Sequence, residues 1–530
     1  MGKEIGIDFG TTTTEVGYVD KKGRIRSMRL GTEHVIPTAL YFKSEDSYLI
    51  GGKANILGQS DSMACVKNFK LYFTDPTKRF HVTAENGDEF VIKPVKAAQL
   101  YLNSLIQMIQ PKLLKEFGET EGTIDKAVIT VPAQFDPEEK AAVKNALSKA
   151  ALLAGFSDIK IAAEPTAAAI AYQEENGEDG ETVLVYDFGG GTFDVSVIQK
   201  NGNVYSEIAT DGDKHLGGNL LTEKLAKVLW ERCLEKADRE YPFDADEAEN
   251  YSEEEYGLNA GRFFSNRVQV FEAAEEIKIE LSEAYCEEAD VPVPFFVDNS
   301  SDPRLIELEM GLEEFNDIIR KDIEKTVELT GRVIRETLEN GAVEKVDQVV
   351  LAGGSSQIRL VRELLLEDPN LRDLIGESDD SETLIARGAA KLASVELKVE
   401  EKTRFEIGTR VIKGKLLDGF EPIIKAGEPL PCSGKRQFYL AKDGQTEVTI
   451  EYYEKDVKNY PEANRIDDDG INLVNELTIS GIPAQPDLSV LVTFHIELDG
   501  TPTISAEILD KDGNTVKADC LSISKGGNLY

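Results

Sequence analysis

Two short segments of one type carry the residues best suited to chemistry. They read DFGTTT at residues 8–13 and DFGGGT at residues 187–192. Small glycine and threonine residues let a backbone turn approach a phosphate closely, and the N–H groups of such a turn bind anions. The aspartate before each turn is suited to hold a hydrated metal ion. The repeat therefore predicts a duplicated clamp that grips the phosphates of a nucleotide from two sides.

Each segment lies between two apolar runs, and this arrangement predicts a strand, a tight turn and a second strand. Ile5 and Ile7 precede the first segment, and residues 183–185 precede the second. A single turn rich in glycine and threonine usually does no more than reverse the chain. Two copies with the same spacing from aspartate to threonine favour a phosphate site instead.

Length and composition describe a protein of several domains. The 530 residues exceed one ordinary core, and 41% hydrophobic and 29% charged residues are typical of a globular protein in water. A membrane span needs a run of about 20 apolar residues, and the sequence contains none, so we predict no membrane span. Residues 1–10 do not resemble a signal peptide. The five cysteines lie far apart, which favours free thiols in a reducing, cytoplasmic setting. The net charge of −38 argues against nucleic acid or an anionic membrane as a main partner.

The duplication extends beyond the two turns. Each half of the α/β region has a later strand that ends in a polar turn and leads into a helix, at residues 129–133 and at residues 351–355. Ligands of α/β sheets bind beyond the carboxyl ends of the strands. We therefore expect two α/β lobes that hold a nucleotide between them.

The sequence pattern changes after about residue 400. Short runs of alternating apolar and polar residues follow, such as residues 447–453 and 490–498, and Asp-Gly pairs separate them. This pattern is typical of an antiparallel all-β domain. The expected boundaries are 1–393 for the α/β domain, 394–403 for a charged linker and 404–530 for the β domain.

Seven segments, taken together, are specific enough to indicate a family. They are IGIDFGTTTT (5–14), ITVPAQF (129–135), AEPTAAAIAY (163–172), VLVYDFGGGTFDVSV (183–197), HLGG (215–218), EEIKIELS (275–282) and LAGGSSQI (351–358). The chain resembles the seventy-kilodalton heat-shock chaperone family, within the actin-like ATPase superfamily. The resemblance implies a two-lobed α/β actin-like (ribonuclease H-like) ATPase domain followed by an all-β sandwich, with ATP or ADP and Mg²⁺ as ligands. The implied function is an ATP-dependent molecular chaperone that couples ATP hydrolysis to the binding of unfolded or extended polypeptides.

The resemblance assigns residues to the ATPase site. Asp8 and Asp187 match the aspartates that hold Mg²⁺, largely through water. The phosphates are expected to contact Gly10, Thr11, Thr12 and Thr13 from one lobe and Gly189, Gly190, Gly191 and Thr192 from the other. The expected catalytic residues are Lys67, Glu164, Asp187, Thr192 and Asp194. Lys67 is the best match to a lysine near the γ-phosphate, although nearby Lys70 leaves the register open. The alternatives for Asp194 and Thr192 are a hydrogen-bonding role at a strand end and a turn cap.

The remaining nucleotide contacts are expected around the adenosine. They are Gly217, Gly218, Glu275, Lys278, Ser282, Gly353, Gly354, Ser355 and Glu382. The spacing of Glu275, Lys278 and Ser282 places them on one helix face, and by itself that spacing favours an exposed face. The family usually has an arginine that stacks on adenine where this chain has Gln357. Because such stacking is worth about 0.5–2 kcal/mol, we expect nucleotide binding to be weaker by up to roughly tenfold or more.

The β domain resembles the peptide-binding domain of the family. Val448 and Ile450 match residues of an apolar pocket, and Ile412 and Tyr439 match its walls, although all four are also compatible with ordinary core positions. Such a groove binds an extended peptide through main-chain hydrogen bonds and a side-chain pocket. No helical segment follows the last strand, where the family has a lid, and we expect fast peptide exchange from a lidless, bacterial-type member.

Features that connect the two activities depart from the family pattern. Pro132 and Lys140 match residues that relay the nucleotide state, but the linker is charged instead of aliphatic. Lys160 and Ala163 stand where well-studied members have arginine and asparagine on the surface for J-domain cochaperones. Interdomain coupling, a J-domain cochaperone and a nucleotide exchange factor are therefore hypotheses.

Two other functions remain open from the sequence. An actin-like small-molecule kinase would need a pocket for an acceptor, and it would not explain the β domain. A nucleotide-dependent scaffold that binds one dedicated partner is favoured by the charged linker and the missing lid. Turnover of ATP without an acceptor distinguishes the chaperone from the kinase.

Overall fold

The computed structural model divides the chain into two compact units. Residues 1–134 and 146–398 form the first unit, and residues 135–145 and 399–530 form the second. The structure describes residues 4–29, 34–119, 121–124, 126–133, 137–177, 179–240, 243, 257–339, 341–376, 381–395, 398–400, 402–403, 405–413, 416–440, 442, 444–457, 460–497 and 502–522. Part of the predicted linker 394–403, including residues 396 and 397, lies outside this set.

The described chain contains helices of 9 to 28 residues. They are α1 (Gly52–Ser60), α2 (Pro94–Phe117), α3 (Pro137–Ala154), α4 (Glu164–Glu175), α5 (Gly218–Ala237), α6 (Ala260–Ser282), α7 (Leu312–Glu339), α8 (Arg359–Glu367) and α9 (Leu384–Ser394). Their ends follow from local chemistry: α2 starts with a proline in its first turn and ends at Gly118, whose φ of 74° suits a residue without a side chain. None of the described helices combines the length and apolar character that a membrane span requires.

Strands make up most of the remaining structure. Those of the first unit are β1 (Glu4–Phe9), β2 (Thr13–Val19), β3 (Ile25–Ser27), β4 (Val35–Pro37), β5 (Ala39–Ser44), β6 (Ser47–Ile50), β7 (Cys65–Lys67), β8 (Phe80–Thr83), β9 (Glu89–Ile92), β10 (Lys126–Val131), β11 (Asp158–Ala163), β12 (Thr182–Phe188), β13 (Phe193–Asn201), β14 (Val204–Asp213), β15 (Glu288–Phe295), β16 (Arg304–Gly311) and β17 (Gln348–Ala352). The short strand β18 (Lys398–Glu400) follows at the division between the units. The second unit contains β19 (Glu406–Lys413), β20 (Leu416–Ile424), β21 (Cys432–Tyr439), β22 (Glu447–Lys455), β23 (Ile471–Ser480), β24 (Ser489–Ile496), β25 (Pro502–Leu509) and β26 (Thr515–Ser522).

Two sheets of the first unit share one topology. The first sheet has the order β11-β10-β1-β2-β3, and the second contains β17, β12, β13 and β14 in that order. In each sheet an antiparallel hairpin, β1–β2 or β12–β13, pairs in parallel with one later strand, β10 or β17. The chain is thus mixed α/β with several sheets, and the predicted duplication is present in the strand order.

The two hairpins also share their register. Asp8 lies opposite Glu15 in the first hairpin, and Asp187 lies opposite Asp194 in the second. Residues directly opposite each other in an antiparallel pair have their side chains on the same face. In both hairpins the aspartate lies one residue before the end of its strand, and four residues separate the last paired residues, Phe9 and Thr14 or Phe188 and Phe193.

Helix α9 packs so closely on its neighbours that some positions tolerate no side chain. A Cβ atom at Gly388 would lie 1.7 Å from the carbonyl oxygen of Ala167 in α4, and one at Gly6 of β1 would lie 2.1 Å from the backbone nitrogen of Ala390. The facing part of α4 is alanine-rich, and Ala167, Ala168 and Ala169 are fully buried. Close backbone approach between α4, α9 and the first sheet therefore depends on small residues.

The second unit consists of two antiparallel sheets with a common core. Their orders are β20-β19-β22-β23 and β21-β24-β25-β26. Apolar residues of both sheets, such as Ile450, Tyr452 and Phe494, belong to one buried cluster, in which the Tyr452 and Phe494 ring centroids are 5.0 Å apart. The antiparallel strands predicted after about residue 400 are present.

We expect Gly388→Ala to destabilise the first unit by about 3 kcal/mol or more, because the new methyl group collides with backbone and not with a flexible side chain. Thermal unfolding followed by circular dichroism measures the effect. Gly52→Ala is the matched control: this glycine starts α1, nothing lies within 4 Å of its added Cβ, and the substitution should be neutral or slightly stabilising. Equal midpoints for the two variants would contradict the close packing of α9.

Candidate functional site

Both predicted phosphate turns line one cavity of the first unit, with a volume of about 390 Å³. Most of the expected nucleotide-contacting residues line it as well. Those that do are Asp8, Gly10, Thr11, Thr12, Thr13, Glu164, Asp187, Gly189, Gly190, Gly191, Thr192, Glu275, Lys278, Ser282, Gly353, Gly354, Ser355 and Glu382. Lys67, Asp194, Gly217 and Gly218 do not line the cavity. The structure therefore brings together segments from six separate parts of the sequence.

Hydrogen bonds to their carbonyl groups fix the two turns in place. The Thr38 hydroxyl donates to the Gly10 carbonyl at 3.1 Å, and the Ser355 hydroxyl donates to the Gly189 carbonyl at 3.0 Å. The backbone N–H groups of Gly218 and Asn219 donate to the Gly189 and Gly190 carbonyls at 3.0 and 2.8 Å. Gly217 and Gly218 thus support the second turn from behind. A fixed turn loses little conformational freedom when it binds an anion.

The two turns also approach each other across the cavity. A Cβ atom at Gly190 would lie 2.5 Å from the Thr12 hydroxyl oxygen, so any side chain at residue 190 would collide with the opposite turn. Gly353, with a φ of 79°, closes the cavity beside the second turn, and its Cβ would lie 2.8 Å from a carboxylate oxygen of Asp187. Both positions require glycine for geometric reasons.

Buried carboxyl groups face one another at the base of the cavity. Asp187 is 3% exposed and Glu164 is 8% exposed, while Thr130 donates to Asp8 at 2.9 Å. Burial and the charge of Glu164 raise the pKa of Asp8 to about 7, although Lys70 and Thr130 act in the opposite direction. Burial, Glu164, Asp194 and Asp8 together raise the pKa of Asp187 well above its usual range. Removal from water and mutual repulsion both disfavour the charged forms.

These groups fit a divalent cation. Oδ2 of Asp187 is buried without a hydrogen-bond partner among the described residues. A cation between Asp8 and Asp187 would satisfy that oxygen and favour the ionised carboxylates. No cluster of three or more histidine, cysteine, aspartate or glutamate ligands occurs in the described part of the chain. Two carboxylates with the remaining positions filled by water match the preference of Mg²⁺.

The structure places Lys70, and not Lys67, at the phosphate turns. Nζ of Lys70 lies 3.0 Å from Oε1 of Glu164, and Lys70 is only 6% exposed. Lys67 ends β7 and pairs with Glu272 of α6 at 2.6 Å, outside the cavity. A short 3-10 turn, Phe69–Tyr72, begins two residues after Lys67 and contains Lys70, which is buried next to Phe69. Spacing along the sequence did not distinguish them, but the apolar neighbours of Lys70 were a usable signal.

Two acidic residues occupy equivalent positions in the two hairpins. Asp194 lies opposite Asp187 and is fully buried, whereas Glu15, opposite Asp8, is 5% exposed and lines the cavity. Glu15 was missed in the sequence analysis. A carboxylate seven residues after each aspartate was the signal that could have identified it. Thr192 lines the cavity directly, whereas Asp194 lies behind Asp187 and does not line it.

Helix α6 supplies the expected adenosine-side residues. Nζ of Lys278 contacts Glu275 at 2.7 Å and the Thr222 hydroxyl at 2.9 Å, and Lys278 is 7% exposed. The face of α6 that carries Glu275 and Lys278 is therefore not an ordinary solvent-exposed helix face. The Ser282 hydroxyl donates to the Lys278 carbonyl of its own helix at 2.7 Å. The cavity is completed by Gln357, at the position where the family usually has a stacking arginine, and by Ile279, which is 56% exposed and was missed.

The four expected peptide-contacting residues separate into two pairs. Ile450 is 3% exposed in the core of the second unit, and Val448 packs against that core. Ile412 and Tyr439 are 63% and 86% exposed. The side chain of Lys140 lies outside the described residues, while Pro132 lines the nucleotide cavity and Lys160 is exposed on β11.

Comparisons with known proteins identify the family of this chain. The Hsp70 protein family model matches residues 4–528. Among relatives named Chaperone protein DnaK, that of Thermosipho africanus is 28% identical over 98% of the chain and 79% of the relative. The relatives from Anaplasma marginale and Thermotoga petrophila are 28% and 29% identical, over 99% and 95% of the chain and 77% and 78% of their own lengths.

Two glycine- and threonine-rich turns around paired carboxylates are typical of a nucleotide-binding protein, and the family match narrows this class. The chain belongs to the Hsp70 family. It is an ATP-dependent molecular chaperone and an ATPase, with ATP or ADP and Mg²⁺ as its ligands and unfolded polypeptides as its substrates. The chaperone function predicted from the sequence is confirmed, and the kinase and scaffold alternatives are not favoured.

The raised pKa of Asp8 predicts a pH-dependent stability of the metal-free, nucleotide-free protein. A carboxyl whose pKa is higher when folded keeps its proton more tightly in the folded state. Its contribution to the free energy of unfolding is therefore greatest below the unfolded value of 3.8 and falls as the pH rises toward about 7. We expect Asp8→Asn to lose less stability than the wild type between pH 5 and pH 7.5, measured by thermal unfolding.

Asp46→Asn, in an exposed turn, is the control and should follow the wild type across this range. Mg-ADP should raise the unfolding temperature of the wild type more at pH 7.5 than at pH 5, since ionised carboxylates hold the cation. A wild type whose stability rises with pH relative to Asp8→Asn contradicts the prediction.

Proposed function

We propose that the first unit is a two-lobed, actin-like ATPase domain that hydrolyses ATP in the cavity between its two hairpins, and that the second is a peptide-binding β sandwich. The observation that carries the ATPase assignment is the equal register of the two hairpins, which brings Asp8 and Asp187 to one cavity. The shared core of the two antiparallel sheets supports the sandwich.

In this proposal the residues of the cavity act by position and charge. Phosphoryl transfer to water needs orientation and charge neutralisation more than covalent chemistry. The N–H groups of the turns hold the phosphates, and Asp8 and Asp187 would hold Mg²⁺, which would neutralise phosphate charge. Lys70 supplies the cation beside the terminal phosphate and is kept in place by Glu164. Thr192 orients the attacking water, while Asp194 positions Asp187.

Lys70→Ala should lower the rate of ATP hydrolysis by roughly 100-fold or more, because it removes a buried cation from the reacting phosphate. Single-turnover hydrolysis of preloaded ATP measures the chemical step without nucleotide release. Lys67→Ala is the matched control: it removes the same side chain three residues away, and its rate should stay within a few-fold of the wild type. If Lys67→Ala loses the activity and Lys70→Ala keeps it, the assignment made from the sequence is right and this one is wrong.

In the second unit, the four residues matched to the peptide groove differ in solvent exposure, and we propose different roles for them. We propose that Ile412 and Tyr439 contact the peptide, because large apolar side chains this exposed commonly mark binding surfaces. Ile450 acts instead through the core beneath the groove. Val448 is partly buried, and its position is intermediate between that of a peptide-contacting residue and that of a core residue.

Ile412→Ala and Tyr439→Ala should therefore weaken binding of an extended apolar peptide with little change in unfolding temperature. Ile450→Ala should lower the free energy of unfolding by about 2–5 kcal/mol because it leaves a cavity in a packed core. Fluorescence anisotropy with a labelled peptide and thermal unfolding separate the two effects. Unchanged affinity in both surface variants would remove Ile412 and Tyr439 from the groove.

Coupling between the two activities is part of the proposal, together with a J-domain cochaperone and a nucleotide exchange factor. Peptide should change the ATPase rate, and nucleotide should change the rate of peptide release. A protein whose peptide release is the same with ATP and with ADP would be an ATPase without interdomain coupling.

A further inference from the structure

A second cavity of the first unit is strongly basic. Its volume is about 710 Å³, and it is lined from β2, β3, the end of α2, the end of α4 and α9. Five permanently charged cations and two carboxylates line it; they are Arg26, Arg29, Lys112, Lys115 and Arg387, with Glu116 and Glu175. The whole chain has a net charge of −38, so this excess of positive charge runs against the rest of the protein.

Three of the five cations of this basic cavity, Lys112, Lys115 and Arg26, are only weakly neutralised by the described residues. Lys112 and Lys115 form no ion pair with any residue that the structure describes. Nε of Arg26 is 3.5 Å from Asp20, a carboxylate that has a shorter contact, 2.8 Å, with Arg24. The Arg387 side chain is 13% exposed, and its guanidinium lies 3.3 Å from Glu175. Arg387 is thus already paired, and Nε of Arg29 donates to Nε2 of His34. Lys112, Lys115 and Arg26 retain capacity for another anion.

A simpler explanation accounts for only part of the cluster. Lysines in the last turns of a helix interact favourably with its dipole, which suffices for Lys112 and Lys115 at the end of α2. Arg26, Arg29 and Arg387 belong to other segments, and no helix end explains their convergence. Like charges repel, so their approach costs free energy unless a ligand offsets it.

We propose that this basic cavity binds a small soluble anion that carries a diphosphate group. A guanidinium presents two parallel N–H donors that match phosphate oxygens, and three arginines line the cavity. Tyr18 also lines the cavity, and its hydroxyl can serve as a neutral donor. A volume of about 710 Å³ falls within the usual range for small-molecule sites, roughly 300–1,000 Å³, and exceeds what one phosphate fills.

This site is separate from the nucleotide cavity, although the two are neighbours in the chain. They share no lining residue, but His34 and Val35 line different cavities, as do Arg387 and Ile385 of α9. An experiment must therefore fill the nucleotide cavity first, because its turns also bind phosphate. Anion binding at the basic cavity requires neither ATP hydrolysis nor peptide binding.

The test is calorimetric titration of the full chain, loaded with Mg-ADP and desalted, with sodium pyrophosphate at constant ionic strength. We expect saturable binding at one site, and inorganic phosphate should bind more weakly. Lys112→Gln combined with Lys115→Gln should weaken pyrophosphate binding at least tenfold. Lys93→Gln combined with Lys96→Gln is the matched control, because it removes two exposed charges at the other end of α2, and its affinity should change less than twofold.

Arg26→Gln provides an independent variant from β3 and should also weaken binding. Thermal unfolding verifies that each variant is folded. Heat changes no larger than those of potassium chloride, or equal losses in the two double variants, would overturn the proposal. Tighter binding of a hexaglutamate peptide than of pyrophosphate would overturn it too, since the cavity would then be a site for acidic polypeptide.

Discussion

The burial of several carboxyl groups around one lysine is the constraint on which the nucleotide site depends. Burial and the charge of Glu164 raise the pKa of Asp8 and of Asp187, and Lys70 offsets only part of this effect. Such an arrangement is unfavourable by itself, because buried charges need partners. It becomes favourable when a divalent cation and its nucleotide enter. The site is therefore built for a ligand that brings its own positive charge.

The fold makes this arrangement by duplication. Two hairpins of equal register place an aspartate at the end of a strand twice, and a parallel neighbour, β10 or β17, fixes the far side of each strand. The turns then meet across a gap so narrow that Gly190 admits no side chain. Small residues on α4 and α9 let the first sheet and its helices approach closely. The chemistry of the cavity and the packing beneath it thus both depend on small residues, glycine and alanine.

Sequence patterns predicted the parts of this structure that follow from local periodicity. The strand, turn and strand around residues 8–13 and 187–192 are present, because alternating apolar residues and small turn residues specify them with little help from distant contacts. Lys67 and Lys70 could not be separated in this way, since a single 3-10 turn decides which lysine faces inward. Ile450 shows the same limit. Alternation along β22 identifies the face it shares with Val448, but whether that face is a groove or a core depends on the second sheet.

The distribution of charge resolves an apparent conflict between an acidic protein and an anionic ligand. With a net charge of −38, the long-range field repels a nucleotide, and salt screens this repulsion beyond roughly 8–10 Å. In the proposed ATPase site, the groups that would decide binding are those of the cavity: backbone N–H donors of the turns, Lys70, Lys278 and the cation. Such groups act at contact distance, where a low local dielectric strengthens each interaction. The basic cavity beside β3 is a second example, since five cations line it although acidic residues outnumber basic ones in the whole chain. Local geometry, and not net charge, determines which anions this chain can hold.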